Sequence, residues 1–291
     1  TRYIPPVVTP TRAGGFDQKV AIIGAGPAGL SCAFYLAEKG YKPVVFEKMP
    51  RPGGMLTYGI PSFKLEKDVI EAEVEVIKLP LDIDETSFEQ TIERLNDDDK
   101  VHGILVFRPL PKQLSDDRLK ELIRPDKDVD SISMVNAAKV FAGDSTGYAP
   151  CTAQAVMELL EHYKVDLTGK RVAIVGRSLV VGKPLAMLML GKNATVTVCH
   201  TRTKNIEEEC RRADILVACA GSAKMIKTAY TNQGQIVVDV GINFVDGVMC
   251  GDVDYAEVAE NVAAITPVPG GVGTVTTSVL LKHTLESAQR R

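Results

Sequence analysis

The sequence predicts an α/β protein of two domains: a C-terminal Rossmann-like unit with a parallel sheet, an N-terminal αβ domain, and a cleft between them. Three observations carry this. Arg171–Val175 is a short apolar run that passes through a glycine turn and an apolar helix, about Pro184 to Leu190, into a second strand, Ala194–Cys199. Three further runs, Asp214–Ala220, Gln235–Val240 and Ala263–Ile265, each end in glycine or small polar residues, where backbone can approach a flat ligand closely. Near the N-terminus, Lys19–Ile23 leads into a full G-x-G-x-x-G and an Ala/Leu-rich helix, Leu30–Lys39.

Taken in order, residues 1–17 form an arm, because Pro5, Pro6, Pro10, Gly14 and Gly15 oppose a helix or a central strand. The first strand then delivers Gly24, Gly26 and Gly29 to a phosphate-type turn. Val44–Phe46 is the next strand and ends in Glu47, about 20 residues on, where an acid accepts ribose hydroxyls. These four residues outline a second nucleotide site. The trailing Gly53-Gly54 favours FAD over NAD there; a βαβ unit that keeps its turn and binds nothing tightly is the competing reading. Phe63–Lys78 is amphipathic, with Leu65, Val69, Ala72 and Val76 on one face. Leu79–Asp84 is a loop. Ser87 begins a helix with Gln90 in capping-box register, and Phe88, Ile92 and Leu95 make its inner face. Asn96–Lys100 is a polar turn, and His102–Phe107 a buried strand. That strand runs into Arg108-Pro109-Leu110-Pro111, a stiff wall at the strand end where open α/β sheets bind ligands. Asp116–Ile123 is a helix, and Arg124–Asp130 a charged turn of the kind that is ordinarily solvated. Pro150-Cys151-Thr152 starts the helix Ala153–Tyr163, and Val272–Arg291 closes the chain as a helix.

The central turn reads G-R-S-x-x-V-G-K-P, so Gly176, Arg177, Ser178 and Lys183 stand where phosphates would lie. The strand after it ends in His200-Thr201-Arg202-Thr203. An NAD site would place an acid there; hydroxyls and a guanidinium suit a ribose phosphate, which points to NADP. A flavodoxin-like unit without nucleotide is the alternative. A net charge of -3 gives no reason to expect nucleic acid or an anionic membrane as partner. No apolar run approaches a membrane span, and the N-terminus lacks a charged-then-apolar signal segment, so the cytoplasm is expected. The six cysteines and four histidines are dispersed without ligand spacing, so buried free thiols and no metal are expected.

From Leu79 onward the words V-H-G-I-L-V, P-L-P, K-D-V-D, P-C-T, G-R-S-L-V-V-G-K-P, D-V-G-I-N, G-D-V-D and T-P-V-P-G-G-V-G resemble the methylenetetrahydrofolate dehydrogenase/cyclohydrolase family. The resemblance implies a homodimer with an N-terminal folate domain (residues 18–147, completed by the helix about 279–291) and an NADP domain (148–278). It implies NADP-linked oxidation of methylene-tetrahydrofolate and hydrolysis of the methenyl product. By the same resemblance Asp130 binds the pterin ring. Arg177, Ser178 and Thr201 hold the NADP phosphate, Gly241, Ile242 and Asn243 lie near the nicotinamide, and Pro269, Gly270 and Gly271 line the junction of folate and nicotinamide. The reading of the turn and strand ends adds Gly176 and Arg202 to the cofactor site, and the proline wall adds Pro109 and Leu110 to the substrate site. Hydride transfer of this kind needs two flat rings held in a dry cleft more than it needs an acid or base. Residues up to about Lys78, through V-A-I-I-G-A-G-P-A-G-L-S, V-V-F-E-K and P-G-G-M-L-T-Y-G-I-P, resemble instead the start of the flavin domain of the glutamate synthase small-subunit family.

The chain thus reads as a chimera, whether a natural fusion, a gene-assembly artefact or an engineered protein. The folate family carries Y-x-x-x-K in its first domain, and its lysine activates water. No Y-x-x-x-K is expected upstream of the cleft strand: the flavin-like segment sits where the motif should be, and Tyr58 and Lys64 are two residues too far apart, so the family's lysine is not found. Phe107 replaces the family's glutamine before the proline wall. Two functions therefore stand side by side: a folate dehydrogenase with impaired cyclohydrolase, or a dinucleotide-binding protein without turnover. The N-terminal fingerprint, lacking the rest of its domain, is expected to accept a phosphate but not to retain FAD.

Overall fold

The computed structural model of the chain describes residues 19–23, 42–46 and 79–290. The arm, the fingerprint with Gly24, Gly26 and Gly29, Glu47, and the helices expected over 30–39 and 63–78 lie outside the described residues. The chain divides into two compact units, Thr1–Val129 with Leu281–Arg291, and Asp130–Leu280.

In the first unit β1 (Lys19–Ile23) pairs in parallel with β2 (Lys42–Phe46), in register from Lys19 opposite Lys42 to Ile23 opposite Phe46. Helix α1 spans Glu85–Asp97 and α2 spans Asp116–Leu122. The cap of α1 is Asp84, not Ser87: its carboxylate accepts from Ser87 N at 2.9 Å and from Ser87 Oγ at 2.7 Å. A carboxylate outcompetes a hydroxyl at a helix N-terminus because it also complements the dipole. The helix runs on into the expected polar turn, and Asn96 is buried in it, its side chain bonding Leu122 O and Arg124 N.

The expected strand His102–Phe107 is extended but is no regular strand. Ile104 forms a single parallel bridge with Asp128, Ile104 N donating to Lys127 O at 2.6 Å. Its neighbour is the charged turn, which is solvated only in its first half, where Arg124 and Asp126 are exposed. Lys127 and Asp128 are fully buried. Lys127 Nζ donates to Leu95 O and Asp98 O, each at 2.8 Å, and to Asn96 O. A buried ammonium there ends α1 by satisfying its last carbonyls. A Cβ on Gly103 would meet Val129 Cγ1 at 2.9 Å, so glycine lets the two segments approach.

The second unit begins with α3, Met134–Ala142, which the sequence reading leaves unassigned. Its apolar stripe, Met134, Ala138 and Phe141 with Val135 beside it, faces outward, while Asn136 and Val140 are buried. The Ser133 cap and the left-handed Gly143 bound it. Helix α4, Cys151–His162, precedes the sheet. The sheet is β3 (Arg171–Val175), β4 (Thr195–Cys199), β5 (Ile215–Ala218), β6 (Ile236–Asp239) and β9 (Ala264–Ile265). All pairs are parallel, in the order β4-β3-β5-β6-β9.

Alternate side chains enter two cores, as a sheet buried on both faces requires. Val172, Ile174, Ile215, Val217 and Val238 pack with α4, with α5 (Gly182–Leu190) and with the start of α8 (Val272–Gln289). Ala173, Val175, Leu216, Ala218 and Val237 face Cys210 of α6 (Ile206–Arg211), Ile226, Val253 and Val258 of α7 (Tyr255–Val258). An antiparallel hairpin, β7 (Asn243–Val245) and β8 (Val248–Cys250), follows β6 in a stretch that the sequence reading leaves unassigned. Its turn, Asp246-Gly247, has φ > 0 at both residues, the D-G signature of a tight hairpin. Among the described residues no helix is long and apolar enough to cross a membrane.

Candidate functional site

Strand β3 runs out to one side through β4, and β5 starts toward the other, so the strand order reverses between β3 and β5. A doubly wound sheet opens a crevice at that point, beyond the strands' C-terminal ends. Gly176 stands there with φ +137°. A Cβ on it would sit 2.3 Å from Cys219 O, and one on Gly182 would sit 2.1 Å from Gly176 O. Only glycine fits either position, and the turn folds tightly onto the head of α5. That helix begins without a side-chain cap, so its positive end suits an anion. Ser178 Oγ accepts from Val181 N at 3.1 Å, which shapes the turn. Arg177 and Lys183 are exposed beside it.

Gly176 N donates to Cys199 O at 2.9 Å, which sets the turn after β3 beside the residues after β4. Thr203 Oγ1 accepts from His200 N at 2.8 Å, and His200 Nδ1 from Arg202 N at 3.1 Å, so this segment curls on itself with Thr201 and Arg202 exposed. The expected phosphate residues are therefore neighbours. Between Cys199 and Asn205 there is no carboxylate. The donor set fits a dinucleotide with a phosphorylated ribose.

On the far side of the reversal, Gly241 is buried, Ile242 is exposed and Asn243 half-buried. After β9, Gly270 has φ +101°, and a Cβ on Gly271 would lie 2.4 Å from Pro267 O. Pro269 is exposed. Asp130 is half-buried, and its carboxylate accepts from Cys151 N at 3.0 Å, at the head of α4. Ser131, beside it, holds φ +55°. Pro109 and Leu110 belong to the first unit. His283 Nδ1 contacts Val129 O at 2.9 Å in that unit.

Sequence reasoning missed two buried acids in this site. Asp239 ends β6, 3% exposed, and accepts from Gly241 N (3.0 Å), Asp252 N (3.0 Å) and Val253 N (2.9 Å). Burial pushes its carboxyl above the usual range, against the pull of these donors. Asp252 is fully buried and accepts from Gly221 N (2.8 Å), Ser222 N (2.9 Å) and Asn243 Nδ2 (2.9 Å). Both lie in recognised words, D-V-G-I-N and G-D-V-D, but nothing local marks them as buried. Cys219, in the crevice, has a thiol pushed up to about 12 by burial, with the Asp252 charge adding to it, so it stays protonated at neutral pH.

Fold and site together define a parallel, doubly wound α/β protein of the NAD(P)-binding kind. Residues 150–291 match the family model of the NAD(P)-binding domain of tetrahydrofolate dehydrogenase/cyclohydrolase, and residues 64–130 match its catalytic domain. The match reaches back past Leu79. Residues 22–69 match an NAD(P)-binding Rossmann-like domain. The bifunctional protein FolD of Carboxydothermus hydrogenoformans is 53% identical over 223 residues, 76% of this chain and 78% of that one. The FolD of Clostridioides difficile is 50% identical over 216 residues, 74% of this chain and 75% of that one.

Among solved structures, the bifunctional methylenetetrahydrofolate dehydrogenase/cyclohydrolase of Campylobacter jejuni has a TM-score of 0.76 at 36% identity, covering 94% of this chain and 88% of that one. The Trypanosoma brucei enzyme, complexed with NADP and an inhibitor, has a TM-score of 0.71 at 30% identity, covering 96% and 88%. This chain belongs to the tetrahydrofolate dehydrogenase/cyclohydrolase family.

One expectation needs correction. A Y-x-x-x-K spacing does occur, at Tyr35 and Lys39, within the Rossmann-like match and ahead of the catalytic-domain match. Spacing alone therefore does not identify the family's lysine, and both residues lie outside the described ones.

Proposed function

We propose that this protein oxidises methylene-tetrahydrofolate to methenyl-tetrahydrofolate with NADP, and that its cyclohydrolase step is weak or absent. The observation that carries the cofactor choice is the pair of strand ends where Arg177, Thr201 and Arg202 gather without a carboxylate. The relatives' activities and the NADP complex of the Trypanosoma brucei enzyme support the same reading. Residues 148–278 take the dinucleotide role, and residues 18–147 with the end of the last helix the folate role.

NADP, when bound, supplies the hydride acceptor. Gly176, Arg177, Ser178, Thr201 and Arg202 hold its phosphates. The backbone of Gly241, Ile242 and Asn243 borders the nicotinamide, orienting the ring and keeping water away. Asp130 holds the pterin, and Pro109, Leu110, Pro269, Gly270 and Gly271 border the substrate. Orientation is the main contribution such residues make, and it can lower a barrier by several kcal/mol, on the order of 7–11 at best.

The hydrolytic step needs an activated water. Phe107, 52% exposed, offers no hydrogen bond where the family has glutamine. A missing acid–base group lowers a rate by roughly 10²–10⁴-fold. The protein is further proposed to be a cytoplasmic homodimer. The buried free thiols of Cys199 and Cys210 suit a reducing compartment, and the exposed apolar hairpin β7–β8 suits a second copy.

The test follows NADPH formation from methylene-tetrahydrofolate beside the decay of methenyl-tetrahydrofolate, with and without protein. NADPH formation with no accelerated decay is expected. Decay at a family rate removes the cyclohydrolase claim and makes Lys64→Ala the next variant. No NADPH formation, with NADP still bound, makes the chain a binding protein without turnover. The purified protein is expected to lack flavin absorbance; near-stoichiometric FAD would restore the flavin reading of Gly24, Gly26, Gly29 and Glu47.

A further inference from the structure

We propose that Asp252 is a positioning residue that clamps together the loops after β5 and β6, setting the nicotinamide half of the cofactor site without touching the cofactor. The inference rests on the cofactor reading above. Its ground is one fully buried side chain that ties together three groups distant in sequence. Asp252 Oδ2 accepts from Gly221 N at 2.8 Å, and Oδ1 from Ser222 N at 2.9 Å and Asn243 Nδ2 at 2.9 Å.

Gly221 and Ser222 follow β5, and Asn243 opens β7 just after β6. In a doubly wound sheet whose order reverses between β3 and β5, the phosphate turn and the β4 end take one half of a dinucleotide, and the ends of β5 and β6 take the other. The clamp thus acts on one half of the site only.

The clamp is itself anchored. Asp239 Oδ1 accepts Asp252 N at 3.0 Å and Gly241 N at 3.0 Å, while Oδ2 accepts Val253 N at 2.9 Å. Thr266 Oγ1 accepts Asp239 N at 2.8 Å. A Cβ on Gly241 would lie 2.3 Å from Asp252 Cγ, and one on Gly251 would lie 1.9 Å from Asp239 Oδ2. Glycine at both positions makes room for the two carboxylates. Such close packing transmits displacement: a shifted Asp252 moves Gly221, Ser222 and Asn243 together.

Asp252→Asn keeps the shape but turns N–H groups toward one of these donors, which opens the clamp. Two compounds read the halves separately. NADP spans the site; adenosine 2′,5′-bisphosphate reaches only the phosphate half. By calorimetric titration, Asp252→Asn is expected to weaken NADP about tenfold, which is about 1.4 kcal/mol and no more than one charged hydrogen bond contributes. Adenosine bisphosphate should stay within about twofold, because distant sites act nearly independently. Hydrogen exchange at Gly221 and Ser222 should quicken.

A general loosening of the unit would weaken both compounds alike, and that result overturns the clamp, as does a variant that weakens neither. Wild type that binds neither compound overturns the cofactor reading, and the clamp's role with it. If Asp252→Asn does not fold, Asn243→Ala removes one of the three bonds from a half-buried position. Asn243 itself borders the nicotinamide, so its readout is the clamp rather than affinity: hydrogen exchange at Gly221 and Ser222 in the unliganded protein must quicken, and unchanged exchange there overturns the proposal.

Discussion

Arg177 is exposed, in a turn whose shape is set by Gly176 and Gly182. Arg177→Ala should therefore leave the melting temperature nearly unchanged. It should weaken NADP by about 1.5–3 kcal/mol, the range of a charged hydrogen bond, while NAD is barely affected. Parallel titrations with the two nucleotides check this; equal losses would mean that Arg177 does not read the ribose phosphate.

Asp239 behaves in the opposite way, because it is buried. Burial raises its carboxyl above the ordinary 3.8, so the folded state holds the proton more tightly than the unfolded chain. Its contribution to stability is then most favourable below that value and declines as pH rises through the raised one. Asp84 carries the reverse sign. The Ser87 hydroxyl and N–H lower it below 3.8, so its contribution is present above that pH and fades as pH falls through the lowered value. Comparing urea midpoints of wild type and Asp239→Asn from about pH 4 to about pH 7 isolates the first effect. The wild type's advantage should shrink as pH rises; a constant or growing advantage would contradict the burial argument.

At the level of the element, Lys127 is the clearest gain over the sequence. R-P-D-K-D-V-D has the composition of a solvated turn, yet its lysine is buried against the carbonyls that end α1. Lys127→Met keeps the stem and removes the ammonium, leaving those carbonyls short of a donor. A loss of about 1.5–3 kcal/mol is expected in chemical denaturation, with α1 fraying first in hydrogen exchange. An unchanged midpoint would show that water replaces the ammonium at no cost.

The strands were legible because an apolar run closed by glycine is a local signal. The runs starting at Arg171, Asp214, Gln235 and Ala263 each contain an observed strand, the first unchanged and the others trimmed by one or two residues at an end. Helix α3 and the hairpin carry local signals that the sequence reading passed over, an apolar stripe after the Ser133 cap and a D-G pair between apolar residues; only the structure shows that both apolar faces point outward. The site was legible where side chains reach outward, as at Arg177, Thr201 and Arg202. It was illegible where acids turn inward.

For the whole molecule, the hairpin's outward face bears on assembly. Phe244 and Val248 are each 68% exposed, with Val245 and Met249 beside them. An apolar group of this kind is the candidate contact between copies in the homodimer proposed above. Light scattering should give a dimer for the wild type and a shift toward monomer for Phe244→Glu. A monomeric wild type, or a variant that stays fully dimeric, would remove the hairpin from the interface.

The sequence by itself determined the αβ alternation, the parallel sheet, the glycine turn with its cations and the family. These depend on residues a few positions apart, whose periods and backbone preferences act before the chain is folded. Only the tertiary structure decided the strand order, the burial of Lys127 and the joining of two loops by Asp252. The partners of Asp252 lie 31, 30 and 9 residues away. A carboxylate is stable in the interior only when such distant donors converge on it, and their convergence is a property of the packed sheet.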